Sequence, residues 1–487
     1  MQMQDRTAHP PDTTAPSPAL SVRPGAALAV LASAQFVVLL STSIVNVALP
    51  QIRAGVGLSD TGTTWVVNAY GLAFGALLLA GGSLSDLLGR RRVLLGGLGL
   101  FTVASVAAGL ATAPEILIAA RAAQGVGAAA IAPAALALVM DVFPSGPGRG
   151  RALAVWGMVT GAGGAAGVLL GGALAQVAGW SWIFHACAVG AALVLAATAA
   201  VVPARRRTGT QARRFDHLGT ATVTLGLTAL VWALTMARTA GWTSPQVLAS
   251  FTLAVLLLAA FVPIERRQKY PLLPPRLFTV GQLASGNILM TLLGSVWIAL
   301  FFFLPLYQQH VLGTGPLATG LAQLPLAAAN MLGSALAPSL ARRFGSVRTL
   351  TAALLVEAGG MWWLSRITAD SDYASAVLGP SIAIGLGLSI AFVQLTSLAV
   401  TGVRPADAGL AGGLVNTTRQ IGGAIGLAAL STLAASVTAA SPSHHTHLEA
   451  LTAGYRTALE VSALILLAAT ALVPALARRS TARRQRQ

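Results

Sequence analysis

Three consecutive arginines, Arg90, Arg91 and Arg92, stand between two apolar runs, 61 to 82 and 92 to 112, each long enough to cross a hydrocarbon layer of about 30 Å. Such a triplet is too costly to sit in lipid, so it marks a turn at a membrane face. Basic turns are retained on the cytoplasmic side, which fixes the direction of both neighbouring spans. The turn reads Gly81-Gly82-Ser83-Leu84-Ser85-Asp86-Leu87-Leu88-Gly89 before the arginines, and Asp86 and Arg90 are four residues apart. That spacing lets an acid and a base meet on one helical face.

The rest of the chain obeys the same constraint. Of its 487 residues, 55% are hydrophobic and 9% charged, against roughly 25% charged in soluble domains. A polytopic, all-α membrane protein follows. The net charge of +17 would suggest nucleic acid in a soluble chain, but here the basic residues fall in alternate turns and in the tails. Only Arg53, Arg238, Arg366 and Arg456 belong to the opposite turns, and only Arg121 and Arg419 to spans.

Reading apolar runs against a span of about 20 residues predicts fourteen helices. They lie near 25 to 49, 61 to 82, 92 to 112, 115 to 141, 151 to 174, 182 to 202, 217 to 237, 246 to 264, 280 to 305, 317 to 340, 347 to 367, 375 to 400, 408 to 437 and 456 to 477. The even count places both termini on the cytoplasmic side of a cell membrane. Residues 1 to 24 lack the apolar core of a signal peptide and read as a disordered cytoplasmic tail, and 478 to 487 as a basic one.

Two basic, proline-containing connections, 203 to 216 and 265 to 278, bracket a pair of helices. They divide the chain into a six-helix bundle at 25 to 202, a two-helix insert with its linkers at 203 to 278, and a second six-helix bundle at 279 to 477. An internal repeat supports this division. Leu340-Ala341-Arg342-Arg343-Phe344-Gly345-Ser346-Val347-Arg348 follows the second helix of the second half and keeps the glycine and the bases of the opening turn, without its acid. Repeated halves around a midplane path are a common plan of secondary transporters.

Ionisable groups inside a span cost about 2.5–3.5 kcal/mol on insertion scales, so each needs a reason. Arg121 lies in the fourth helix with Gln124 one turn on, Arg419 lies in the thirteenth after Asn416, and Glu357 in the eleventh is the one acid placed near the midplane. Gly157, Gly161, Gly163, Gly164, Gly167, Gly171 and Gly172 crowd the fifth helix, as close backbone packing in lipid requires. Trp297, Phe301, Phe302, Phe303 and Tyr307 read as packing or lipid belt rather than a ligand stack. His444, His445 and His447 lack a fourth ligand and read as solvated, so no metal is expected. A single cysteine, Cys187, excludes an internal disulfide, and no HExxH, phosphate loop or Cys/His pair points to an enzyme.

The stretch from Gly81 to Arg92 resembles the cytoplasmic signature loop of the major facilitator superfamily, and Arg121 to Ala129 its fourth-helix motif. Ser41 to Pro50, Trp65 to Tyr70, Gly157 to Gly172, Tyr307-Gln308-Gln309, Leu324-Pro325 and Ala408 to Gly426 are similar to the fourteen-helix drug/proton antiporter branch. The resemblance spans roughly residues 30 to 435. It implies a transporter that exports small organic molecules by alternating access, a drug or antibiotic exporter, with Gly82, Asp86, Gly89, Arg90 and Arg91 as a conformational latch. Ser41, Asn46, Arg121, Gln124, Glu357, Asn416 and Arg419 become candidates for the substrate and proton path, and Gly157, Gly161, Gly167, Gly171 and Gly172 form the antiporter-motif helix.

The departures narrow that expectation. Where the family has a first-helix acid this chain has Ser41, where it has a fifth-helix proline it has Val168, and Ser181 stands between Trp180 and Trp182 in place of arginine. Without the acid, the usual carrier of the coupling proton is absent and the buried charge left over is positive, which favours neutral or anionic substrates. Expected partners are therefore such a small molecule, protons as the family's coupling ion, and the lipid bilayer. No nucleic acid or cofactor is expected, and the chain should act as a monomer. The alternative is a non-transporting membrane ligand sensor, or an importer or facilitator of a small anionic metabolite.

Overall fold

The computed structural model describes residues 24–143, 146–202, 216–269, 271–273, 276–277, 282–400, 403, 408–441 and 446–484. Among these every regular element is helical. The helices are α1 (Pro24–Val56), α2 (Asp60–Leu88), α3 (Arg90–Gly109), α4 (Pro114–Val142), α5 (Gly146–Val177), α6 (Ser181–Val201), α7 (His217–Ala240), α8 (Pro245–Arg267), α9 (Leu283–His310), α10 (Pro316–Ala322), α11 (Leu324–Phe344), α12 (Ser346–Leu364), α13 (Gly379–Val400), α14 (Ala408–Ala440) and α15 (His447–Arg484). The expected tail 1–24 and the linker residues 203–215 lie outside the described residues, apart from Pro24, the first residue of α1.

Three expectations are corrected. The tenth span is two helices, because Pro325 has no N–H to give to the carbonyl of Leu321, and α10 ends at Ala322, with Gln323 as the joint before α11. The twelfth opens on a π turn, Ala374–Leu378, before α13. The last helix starts at His447 rather than 456, since Thr446 and Glu449 form a reciprocal capping pair, Thr446 N to Glu449 Oε2 at 2.6 Å and Glu449 N to Thr446 Oγ1 at 3.2 Å. It continues to Arg484, so Arg456 sits within a helix and most of the expected basic tail is helical.

With α10 and α11 counted as one span, fourteen remain. Twelve are apolar and long enough to cross a membrane outright, and the other two are α5 and α12. Within the first group α2 packs on α4, α3 on α4 and α6, and α1 on α5; within the last, α9 packs on α14 and α13 on both α11 and α12. Small residues set these distances. A Cβ on Gly81 would strike the Ala129 carbonyl, and one on Gly426 would strike Ser295, so α2–α4 and α9–α14 meet backbone to backbone.

Helices α1–α6 meet the helices from α9 onward along α2–α14, α5–α10 and α1–α9. Helix α7 lies over the first of these seams. Its Leu227 and Val231 pack with Trp65, Ala69, Leu72 and Ala76 of α2 and with Ala424 and Ala428 of α14, and Thr432 Oγ1 donates to Leu234 O at 3.0 Å. The internal repeat is visible in the backbone. Gly89 and Gly345 each end one helix and start the next at φ 98° and 86°, with the N–H bonded four residues back to Ser85 O and Ala341 O. Only glycine takes that left-handed conformation without strain.

Candidate functional site

Arg121 is 1% exposed and sits in a hydrogen-bond network that spans four helices. Its Nε donates to Val66 O on α2 at 3.0 Å, and its Nη1 to Ser41 Oγ on α1 at 3.2 Å and to Gln124 Oε1, one turn along α4, at 2.9 Å. Gln124 Nε2 passes the chain to Ser105 Oγ on α3 at 2.7 Å. The guanidinium lies 4.4 Å from the centre of the Tyr70 ring, and the Tyr70 hydroxyl donates to Val38 O at 2.9 Å. Among the described residues every partner is neutral. A buried cation is tolerable here because Nε and Nη1 have acceptors and a ring face supplies negative potential.

Arg419 has a different cradle. Its Nε and Nη2 both donate to Asn416 Oδ1, at 3.3 and 2.9 Å, and it stacks 5.0 Å from the Trp297 ring centre and 5.9 Å from that of Phe392. Trp297, expected to serve only packing or lipid, thus carries half of a cation cage with Phe392 of α13, edge to face at 5.4 Å. Sequence spacing gave no signal for that pairing, since the two rings come from helices far apart in the chain. Arg121 and Arg419, from opposite halves, both lie within electrostatic reach of Tyr70.

The other expected residues scatter. Asn46 is buried with Oδ1 unpartnered. Glu357 is fully buried with both oxygens unpartnered, wedged where a Cβ on Gly387 of α13 would strike its own Cβ and backbone N. It lies in the α12–α13 interface. The fifth-helix glycines divide into two faces. Gly163, Gly167 and Gly171 approach Leu39, Leu40 and Ile44 of α1, whereas Gly172 meets Pro316 and Leu317 of α10 in the other half, where Gln176 Oε1 also accepts from Leu317 N at 3.2 Å. The surroundings of Gly157 and Gly161 lie outside the described residues.

At the arginine-rich turn, Arg90 Nη1 donates to Asp141 Oδ1 at 2.6 Å and to Ala137 O at 3.2 Å, both on α4. Arg91 binds Val202 O and Ala199 O at the C-terminal end of α6, where the helix carbonyls favour a cation. A Cβ on Gly82 would just touch Pro133 of α4. These bases therefore clamp α3 to α4 and α6. The side chain of Asp86 lies outside the described residues, as do His444 and His445.

A cavity of about 690 Å³ opens at the opposite end, between α1, α2, α9, α14 and α15. Phe302, Phe303, Leu306 and Tyr455 give it an apolar wall, and Gln309, His310, His447 and the Arg53–Asp60 ion pair a polar rim. From sequence, His447 is weighed only as a metal ligand and Gln309 only as part of a family-like motif; the rim itself has no signature along the chain, because its residues come from α1, α2, α9 and α15. Gln309 Nε2 reaches across to Val47 O at 2.6 Å.

The model of the Major Facilitator Superfamily matches residues 31–427. A cephamycin export protein of Amycolatopsis lactamdurans is 40% identical over 90% of this chain and 90% of its own length. A puromycin resistance protein of Streptomyces alboniger is 40% identical over 88% of this chain and 86% of its own. Among solved structures, an auto-inhibited peptide transporter of the POT family superposes with a TM-score of 0.66 over 93% of this chain and 97% of that one, at 15% identity, a likeness of fold.

Proposed function

From the premise that this chain belongs to the major facilitator superfamily, we propose that it is a secondary exporter of small organic molecules of the antibiotic class, working by alternating access. The observation that carries the reading is the cavity bounded by helices of both halves at one end, while further along the α2–α14 seam Gly75 packs on Gln420 and Gly413 on Leu79. One end open and the other packed is what a rocking pair of bundles produces. The 40% identity to export and resistance proteins over nine-tenths of the chain supports the direction.

In this reading the bundles are 25–202 and 279–477, with 203–278 as the insert. The arginine-rich end and both termini face the cytoplasm, on the charge asymmetry of the turns, and the cavity faces outward. The protein acts as a monomer. Its substrates are neutral or anionic, because the two central cations, Arg121 and Arg419, have neutral partners and no carboxylate among the described residues. Protons are the coupling ion only if a group other than Ser41 carries them.

Flux of candidate compounds from proteoliposomes, with and without an imposed pH gradient, tests the proposal. Saturable efflux of a neutral or acidic antibiotic supports it. Equal flux through protein-free vesicles for every compound would overturn it.

A further inference from the structure

At the arginine-rich end of the insert, two carboxyl groups from different helices meet in the same small space. Asp216 caps α7, its Oδ1 accepting from Gly219 N at 2.8 Å and from Gln268 Nε2 at 3.2 Å. Glu265, in the last turn of α8, accepts with Oε2 from Leu273 N at 2.9 Å. The residues are 5% and 3% exposed. Each keeps one oxygen without a partner, Asp216 Oδ2 and Glu265 Oε1, and a Cβ on Gly219 would strike both of those oxygens. Two acceptors that face each other out of water repel if both are ionised, and neither is satisfied unless something positive sits between them.

We propose that Asp216 and Glu265 form a proton-binding site, one proton shared between Asp216 Oδ2 and Glu265 Oε1, which fastens the segment after α8 to the base of α7. A single facing pair of oxygens suits a proton better than a hard divalent cation, which takes six or more oxygen ligands. The ionisable groups nearest in the chain are His217 beside Asp216, Arg266 and Arg267 on α8, Lys269 just beyond it and Arg276 after Leu273, all exposed; the two carboxyls take their bonds from Gly219, Gln268 and Leu273. Helices α2 and α14 pack along α7; the side chain of Asp86 and residues 404–407 lie outside the described residues. When the proton leaves, two adjacent carboxylates remain, and their repulsion pulls Glu265 away from its partner and loosens the hold on Leu273. The insert thereby acquires a contact that is tight at low cytoplasmic pH and loose at high pH.

The test uses the full chain in lipid nanodiscs and does not depend on transport. Infrared spectra are recorded in a Glu357→Gln background, which removes the other acid that is buried among the described residues. The expected result is one protonated-carboxyl absorption that disappears as pH is raised and is lost when Glu265→Gln or Asp216→Asn is added. Hydrogen exchange at the segment containing Leu273, corrected for the intrinsic pH dependence, should accelerate over the same pH range and become independent of pH in Glu265→Gln. Should Asp216→Asn fail to fold for want of its cap, Glu265→Gln alone carries both readouts. An absorption unchanged by Glu265→Gln, or a stoichiometric divalent cation bound by the protein and released by that substitution, would overturn the assignment.

Discussion

Arg121 Nη1 donates to Ser41 Oγ at 3.2 Å, so the buried cation of α4 meets a hydroxyl on α1 where related transporters are expected to hold a carboxylate. The distance is already an ordinary hydrogen-bond length, so a carboxylate, which reaches further from the backbone than a hydroxyl, makes the same contact once the two side chains adjust. Ser41→Asp is therefore expected to give a buried ion pair, to shift preference toward cationic substrates and to introduce dependence on the pH gradient. Efflux of ethidium against that of a neutral compound, each with and without the gradient, measures this. Efficient ethidium efflux by the unmodified protein would sink the charge argument.

The guanidinium of Arg121 serves Val66 O, Ser41 Oγ and Gln124 Oε1 at once, which a lysine ammonium cannot do in the same geometry. Arg121→Lys should lose at least one charge-assisted bond, worth about 1.5–3 kcal/mol. A lower melting temperature in detergent, together with transport reduced by about tenfold or more at equal expression, is the expected outcome.

Gly167 and Gly172 face different neighbours, α1 in the same half and α10 in the other. Gly167→Leu overpacks a static interface and should destabilise the protein by about 1–3 kcal/mol. Gly172→Leu obstructs contact between the halves and should depress transport with a smaller effect on melting. Identical melting and transport profiles for the two variants would refute a division of labour along α5.

Arg90 and Asp141 form a half-exposed pair, so its contribution to stability is under about 1 kcal/mol. Asp141→Asn and Arg90→Ala should therefore lower transport alike and leave folding intact, and Asp86→Asn should do so as well if the turn biases the conformational equilibrium. Initial rates from purified variants decide it, and full activity in all three would remove the latch.

Glu357 has no hydrogen-bond partner among the described residues and lies in the α12–α13 interface. Glu357→Gln should leave transport and its pH dependence unchanged. A loss of gradient dependence would instead place the proton path through α12.

How much of this was legible in the chain follows from the range of each force. Membrane spans depend on local hydropathy, and orientation on local charge, so the fourteen spans and the basic turns could be read from Arg90 to Arg92 outward. The break at Pro325 and the cap at Thr446 and Glu449 are also local, but they are written in turn chemistry rather than in the apolar run that marks a span.

What only the tertiary structure decided is which side chains meet. Ser41, Val66, Ser105 and Arg121 lie on four helices, Trp297 and Phe392 on two, and Asp216 and Glu265 at opposite ends of a helical hairpin. In lipid the apolar effect does not choose among helix faces, so these meetings are selected by close packing of small residues and by the need to satisfy each buried polar group. Both are properties of the assembled bundle, and no window along the sequence contains them.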